Sequence, residues 1–155
     1  MRSAILLAGI SLTALAVTAA PAHAATGLVD GAVTAAGVTC SWTNATTSDV
    51  PPNTLVVDHT TVHPSCSSGG ISVTLSASPT VSFDDAAGTA FSPQIDVSVS
   101  APIVGTCSYR VTNATVNRQG TGRTYTGGGL TATETSNRLL CPDTQTIDSV
   151  TFTFH

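Results

Sequence analysis

No lysine occurs in the 155-residue chain, whose cations are five arginines, and charged residues of both signs make up only 9% of it. Beyond the first 24 residues, four arginines (Arg110, Arg118, Arg123 and Arg138) stand against nine acidic residues, a net charge of 4 − 9 = −5. Nucleic acid binding requires several cationic contacts to phosphates, so this chain is not read as a nucleic-acid binder, and a polyanionic partner is disfavoured on the same ground. Long windows of Leu, Glu, Lys and Ala are also missing, which argues against a helical fold. There is no Gly-x-Ser-x-Gly elbow to expose a nucleophilic serine. Gly120-Thr121-Gly122 and Gly127-Gly128-Gly129 lack the Lys-Ser/Thr ending of a phosphate loop, and they read as hairpin loops.

Met1-Arg2-Ser3 leads into an apolar run from Ala4 to Val17, and Ala22-His23-Ala24 is a small-x-small site. This order predicts a helical secretory signal peptide over residues 1–24, too short to serve as a membrane span. It leaves 155 − 24 = 131 residues, 25–155, as a single secreted β-domain large enough to bury a core.

Four cysteines in an exported chain favour disulfides over metal. The pattern around them repeats. Cys40-Ser41-Trp42 and Cys107-Ser108-Tyr109 each place an aromatic residue two positions past a cysteine, and each is followed by Thr-Asn-Ala-Thr, at 43–46 and 112–115. Val29-Asp30 and Val33-Thr34-Ala35 are echoed by Ile95-Asp96 and Val99-Ser100-Ala101. The echo suggests two pseudo-repeated halves, 25–91 and 92–155, each closing its own loop through Cys40–Cys66 and Cys107–Cys141. A staple across the halves, such as Cys40–Cys107, is the rival pairing. Trp42 and Tyr109 would then occupy equivalent places, each ring packed near its own disulfide.

The apolar residues recur at period 2: Ile71, Val73, Leu75 and Ala77; Ile95, Val97, Val99 and Ala101; Val150, Phe152 and Phe154. Further strands are expected over 38–43, 54–62, 106–116 and 124–133. Pro51-Pro52-Asn53, residues 67–70, 84–88 and 127–129, and Pro142-Asp143 supply the turns. One apolar and one polar face per strand predicts an all-β fold, an antiparallel, immunoglobulin-like β-sandwich.

Candidate chemistry is sparse. Asp58, His59, His63 and Cys66 could approach a copper or zinc set, but an oxidised Cys66 and the turn at Pro64 favour surface histidines. Asp84-Asp85 reads as a β-turn closed by Gly88 rather than a carboxylate pair, because adjacent strand residues face opposite ways. Asn44-Ala-Thr and Asn113-Ala-Thr are formal glycosylation sequons, without weight in the bacterial secretion context that the signal and composition suggest. The candidate recognition loop is 118–129, where the strand pattern lapses into glycines and where Arg118, Arg123 and Tyr125 are residue types enriched at binding hot spots.

On Ala22-His23-Ala24 and the paired cysteines, the chain resembles the small, Ala- and Thr-rich, lysine-poor exported proteins of high-GC Gram-positive bacteria. The resemblance implies a secreted two-disulfide β-protein and carries no functional residues. The chain is similar in size and cysteine number to secreted subtilisin inhibitors but lacks the Tyr-Asp-Pro of their reactive-site region. It also differs from neocarzinostatin-type carriers, whose disulfides close shorter loops. The expected function is non-catalytic: binding or structural work at the cell envelope or outside the cell, toward a protein or neutral glycan, with no cofactor and no metal. A secreted protease inhibitor is the alternative, and an extracellular hydrolase comes third.

Overall fold

The computed structural model describes residues 26–155, so the expected signal peptide lies outside the described residues. Eleven strands follow in chain order: β1 (Gly27–Ala35), β2 (Val38–Thr47), β3 (Leu55–Val56), β4 (Ser65–Cys66), β5 (Ser72–Leu75), β6 (Thr80–Asp84), β7 (Thr89–Ala101), β8 (Gly105–Arg118), β9 (Thr124–Gly127), β10 (Leu130–Glu134) and β11 (Thr144–Phe154). All paired neighbours are antiparallel, and the architecture is all-β and sandwich-like. The strands are built from Val, Ile, Thr and Ser at alternating positions, the composition that suits a half-buried pleated surface.

Most expected strands are present and longer than the pattern indicated. The exceptions are 71–77, a strand only over Ser72–Leu75, 124–133, which is split into β9 and β10, and 54–62, where only Leu55–Val56 is a strand. Asp58 there accepts from the Thr60 backbone N–H at 3.0 Å and from its hydroxyl at 2.7 Å, capping a single 3-10 turn over His59–Thr61. A capped turn of this kind competes with the ladder for the same backbone groups. β1, β4 and β6 were not anticipated.

The ladder runs β3-β6-β7-β8-β10-β11-β1-β2-β4, with β5 on β7 and with β9 between β8 and β11. The expected boundary at 91/92 falls inside β7, so strands from both sides of it share one sheet. That sheet curls on itself. At one end it is joined: Thr47 bridges Val57, the Ser48 N–H donates to Val56 O at 2.9 Å, and the Asp58 N–H donates to Thr46 O at 2.9 Å. At the other end, β4 and β5 share no ladder pairs.

The two Thr-Asn-Ala-Thr segments adopt one conformation. Asn44 and Asn113 are both left-handed, with φ of 55° and 53°, a region that Asn tolerates better than other non-glycine residues. In each strand two successive residues then point outward, Thr43-Asn44 and Thr112-Asn113, before a buried alanine, Ala45 or Ala114. In β2 this is a bulge, since the pairing with β1 slips between Val29 and Gly31. In β8 the partner strand turns over as well: Pro93 and Gln94 both face out, and the register is kept.

The core is uneven along the strands. At the joined end, Phe83, Tyr125 and Phe154 pack with ring centroids 5.1–6.0 Å apart, against Val29, Ala45, Leu55 and Val116. A second cluster of Cys107, Tyr109, Val111, Ala114, Ala132 and Cys141 lies further along β8 and β10.

Candidate binding site

Between these clusters the interior is not filled. A cavity of about 510 Å³ lies inside the curled sheet. Its cause is compositional: aromatic residues are only 5% of the chain, and the inward positions of the longer strands carry Val and Ala instead. β7 lends Ile95, Val97, Val99 and Ala101 to the wall, β8 lends Cys107, Tyr109 and Val111, and β1 and β2 lend Val33, Ala35, Val38 and Trp42. Interiors normally pack without voids larger than a water, and a volume of this size falls within the range of small-molecule sites.

The opening lies away from the joined end. There the wall consists of half-exposed or exposed apolar residues of the β1–β2 turn (Ala36), the β7–β8 turn (Val104), the segment beside Cys141 (Leu140, Pro142), the residue before β4 (Pro64) and the β4–β5 connection (Ile71). Ile103 and Leu139 stand beside these positions, 93% and 101% exposed.

No Asp, Glu, Arg or His lines the cavity, and its polar side chains are Ser92, Gln145, the Tyr109 phenol and the Trp42 indole. The Ser92 hydroxyl donates to Gln94 O at 3.3 Å. Burial pushes the Tyr109 phenol above its ordinary value, and the charge of Glu134, its register partner on β10, acts in the same direction. Trp42 faces Gly31 across β1 and β2 and packs on Phe152 at a centroid distance of 6.0 Å. The ring lies so close to the Gly31 backbone that a Cβ there would come within 2.1 Å of it. Trp42 Nε1 is buried and meets no hydrogen-bond partner.

Both disulfides close within the expected halves, Cys40–Cys66 and Cys107–Cys141. Their aromatic neighbours are not equivalent. Tyr109 shares a cluster with Cys107 and Cys141, whereas Trp42 packs over Gly31 and against Phe152.

The expected recognition loop is drawn inward. Arg118 and Arg123 both reach Asp85 on the β6–β7 turn, at 3.1 and 2.5 Å. The Arg123 guanidinium holds the Asp85 carboxyl below its ordinary value, and the same contact raises Arg123. Tyr125 is 0% exposed, its ring in the core and its hydroxyl accepting from Arg123 at 3.3 Å, so it presents no face to a partner. Gly127 and Gly128 are not a mobile hairpin. A Cβ at Gly127 would sit 2.8 Å from the Val116 side chain, and one at Gly128 would sit 2.3 Å from the Asp148 carbonyl. These glycines let the interrupted 124–134 segment run between β8 and β11.

Of the residues considered for metal, Cys66 is oxidised, the His59 ring is hydrogen-bonded to Ser78 at 2.9 Å, and among the described residues no cluster of three His, Cys, Asp or Glu could hold an ion. Sequence reasoning passed over the cavity. The signal available for it was the run of inward Val and Ala residues in strands long enough to need bulkier filling. Comparisons with protein-family profiles, curated proteins and solved structures gave no match.

Proposed function

We propose that the chain is a non-catalytic carrier or binding protein, exported from a bacterial cell, that holds a small apolar molecule inside its curled sheet. The observation that carries this reading is the cavity of about 510 Å³ with no charged residue in its wall. A wall of that composition suits an apolar molecule better than a glycan, whose hydroxyls would lose water without gaining partners. Export is supported by the signal-like first 24 residues and by two formed disulfides, which persist in oxidising compartments.

Titration of the 25–155 chain with Nile red, a neutral dye that fluoresces in apolar surroundings, tests the proposal. Saturable binding at one dye per chain is expected. Fluorescence that rises without saturation, or not at all, would refute it.

A further inference from the structure

We infer that the cavity takes a neutral amphiphile whose head, a hydroxyl or an amide, lies over Ala132 between the Tyr109 hydroxyl and the Gln145 amide, with its apolar body pointing toward the aromatic plug. The inference rests on the carrier reading above and adds the chemistry and orientation of the ligand.

The polar groups of the wall are few and unlike one another. The Ser92 hydroxyl is engaged by Gln94 O, and Trp42 Nε1 is closed off even from water. The Tyr109 hydroxyl and the Gln145 amide remain, and among the described residues neither is hydrogen-bonded. Tyr109 is only 5% exposed, yet its unbonded hydroxyl is not sealed as Trp42 Nε1 is, so it borders space that a water-sized group can enter. Gln145 is half-buried. Polar groups this enclosed are nearly always paired in folded proteins, and here the head of a ligand supplies the partner.

The ladder brings the two side chains to one part of the wall. Ala132 on β10 pairs with Gln145 on β11 and with Val111 on β8, and Tyr109 is the next inward residue of β8 toward the opening. Because Ala132 is small, the wall between them is recessed and leaves room for a head group. The Tyr109 ring is packed with Cys107, Val111 and Cys141, so its hydroxyl is held before any ligand arrives, which lowers the cost of binding. Further in, toward Val29, Val57 and Val116, the wall is aliphatic and receives the apolar body.

The charge of the head follows from its surroundings. No cation lines the cavity, so a carboxylate or phosphate would be desolvated without a counter-charge. Glu134, the register partner of Tyr109, does not line the cavity, and its carboxylate is taken by the Ser136 and Asn137 N–H groups at 2.7 and 2.9 Å, so it offers little to a cation. Burial and the Glu134 charge hold the Tyr109 phenol above its ordinary value, and it keeps its proton to donate. A phenol that donates or accepts and an amide that does both suit a neutral hydroxyl or amide.

The test uses pyrene, pyrenemethanol and pyrenecarboxylate, which share a fluorescent ring and carry no head, a neutral head and an anionic one. Each is titrated into the 25–155 chain and into its Tyr109→Phe and Gln145→Leu variants. Each variant should lower the ratio of pyrenemethanol affinity to pyrene affinity about fivefold, the loss of one net hydrogen bond. Pyrenecarboxylate should bind the parent chain at least about tenfold more weakly than pyrenemethanol. In the isotope-labelled parent chain, which needs no variant to fold, the methylene protons of pyrenemethanol should show NOE contacts to the Ala132 methyl and the Gln145 amide. An unmoved ratio in both variants, pyrenecarboxylate binding as tightly as pyrenemethanol, or methylene contacts to Val29 and Ala45 instead would each overturn the inference and leave the carrier reading standing. Saturable binding of none of the three, together with none of Nile red, would overturn the carrier reading itself.

Discussion

Replacing Cys107 and Cys141 together by serine is expected to destabilise the protein more than replacing Cys40 and Cys66, although the two loops are similar. The cysteines are 34 and 26 residues apart. Chain entropy makes the longer loop worth about 3.8 kcal/mol and the shorter about 3.5 kcal/mol, a difference too small to measure. Packing separates them. Cys107 and Cys141 are both buried among Tyr109, Val111, Ala114 and Ala132, whereas of the other pair only Cys40 is buried and Cys66 is half-buried in the two-residue edge strand β4. Each serine hydroxyl left unpaired in the apolar cluster adds about 1–3 kcal/mol. With two such hydroxyls the 107/141 variant should lose about 6 kcal/mol or more, close to the whole stability of a small domain, and with one, at position 40, the 40/66 variant about 4.5–5 kcal/mol. Urea unfolding of both oxidised double variants, with slopes compared to the parent, measures the losses. Alanine in place of serine at 107 and 141 should recover about 2 kcal/mol, since no hydroxyl is buried. A greater loss at 40/66 would refute the packing argument, and a loss under about 1 kcal/mol in either variant would refute the entropic one.

Other outcomes follow from the same geometry. Val97→Phe, which adds a ring to the cavity wall where Val97 borders the Cys107–Cys141 cluster, should weaken Nile red binding at least about tenfold while the melting temperature holds or rises, as expected when a void is filled; unchanged binding would mean that the dye sits elsewhere. Gly31→Ala should cost about 1–3 kcal/mol through overpacking against Trp42 and shift its emission, and an unmoved unfolding midpoint would show that the ring is not held by the Gly31 backbone. In limited trypsin digestion, cleavage should begin after exposed Arg138, with cleavage after Arg118 and Arg123 appearing early only in Asp85→Asn, which removes the charge that both guanidinium groups pair with; early cleavage after Arg118 in the parent protein would contradict this. Asp96 beside Arg110, Asp85 beside Arg123, and Asp30 at the Asn44 backbone N–H all have folded values below their ordinary ones. The stability they lend is present above the unfolded value near about 3.9 and is lost as pH falls through the folded values. The unfolding midpoint should thus be flat from about pH 8 to about pH 5 and drop below about pH 4, and a decline already between about pH 8 and pH 6 would contradict the assignment.

The period-2 runs made the strands legible because one face of each turns toward the interior and the other away from it, as at Ile95, Val97 and Val99 on the cavity wall against Asp96, Ser98 and Ser100. The within-half cysteine pairing was legible from the repeated Cys-x-aromatic pattern. β1 was harder to read: Gly27 and Gly31 occupy inward positions, so the hydrophobic alternation is faint there, and only the structure shows that Trp42 fills the space a side chain would take. Tyr125 was misread because hot-spot statistics do not distinguish a ring at a surface from one in a core. Its placement between Phe83 and Phe154 depends on strands far apart in the sequence. The cavity was hidden for the same reason, since no local pattern reports the distance between opposed walls.

The repeated Thr-Asn-Ala-Thr has a more specific meaning than an ancestral echo. A strand that alternates strictly keeps one set of side chains inward over its whole length. At Asn44 and Asn113 the inward set changes: β2 passes from Cys40 and Trp42 to Ala45 and Thr47, and β8 from Cys107, Tyr109 and Val111 to Ala114 and Val116. Bulges bend the strand and increase its twist. Both changes fall where the plug end gives way to the cavity, in strands on opposite sides of the aromatic plug. On the plug side of each change the sheet is tight enough to be joined through Thr47 and Val57, and on the other side the walls separate far enough to leave β4 and β5 unpaired. Two left-handed asparagines thus mark, in β2 and in β8, the point where the inward set of side chains changes within one continuous sheet, and a buried alanine follows each.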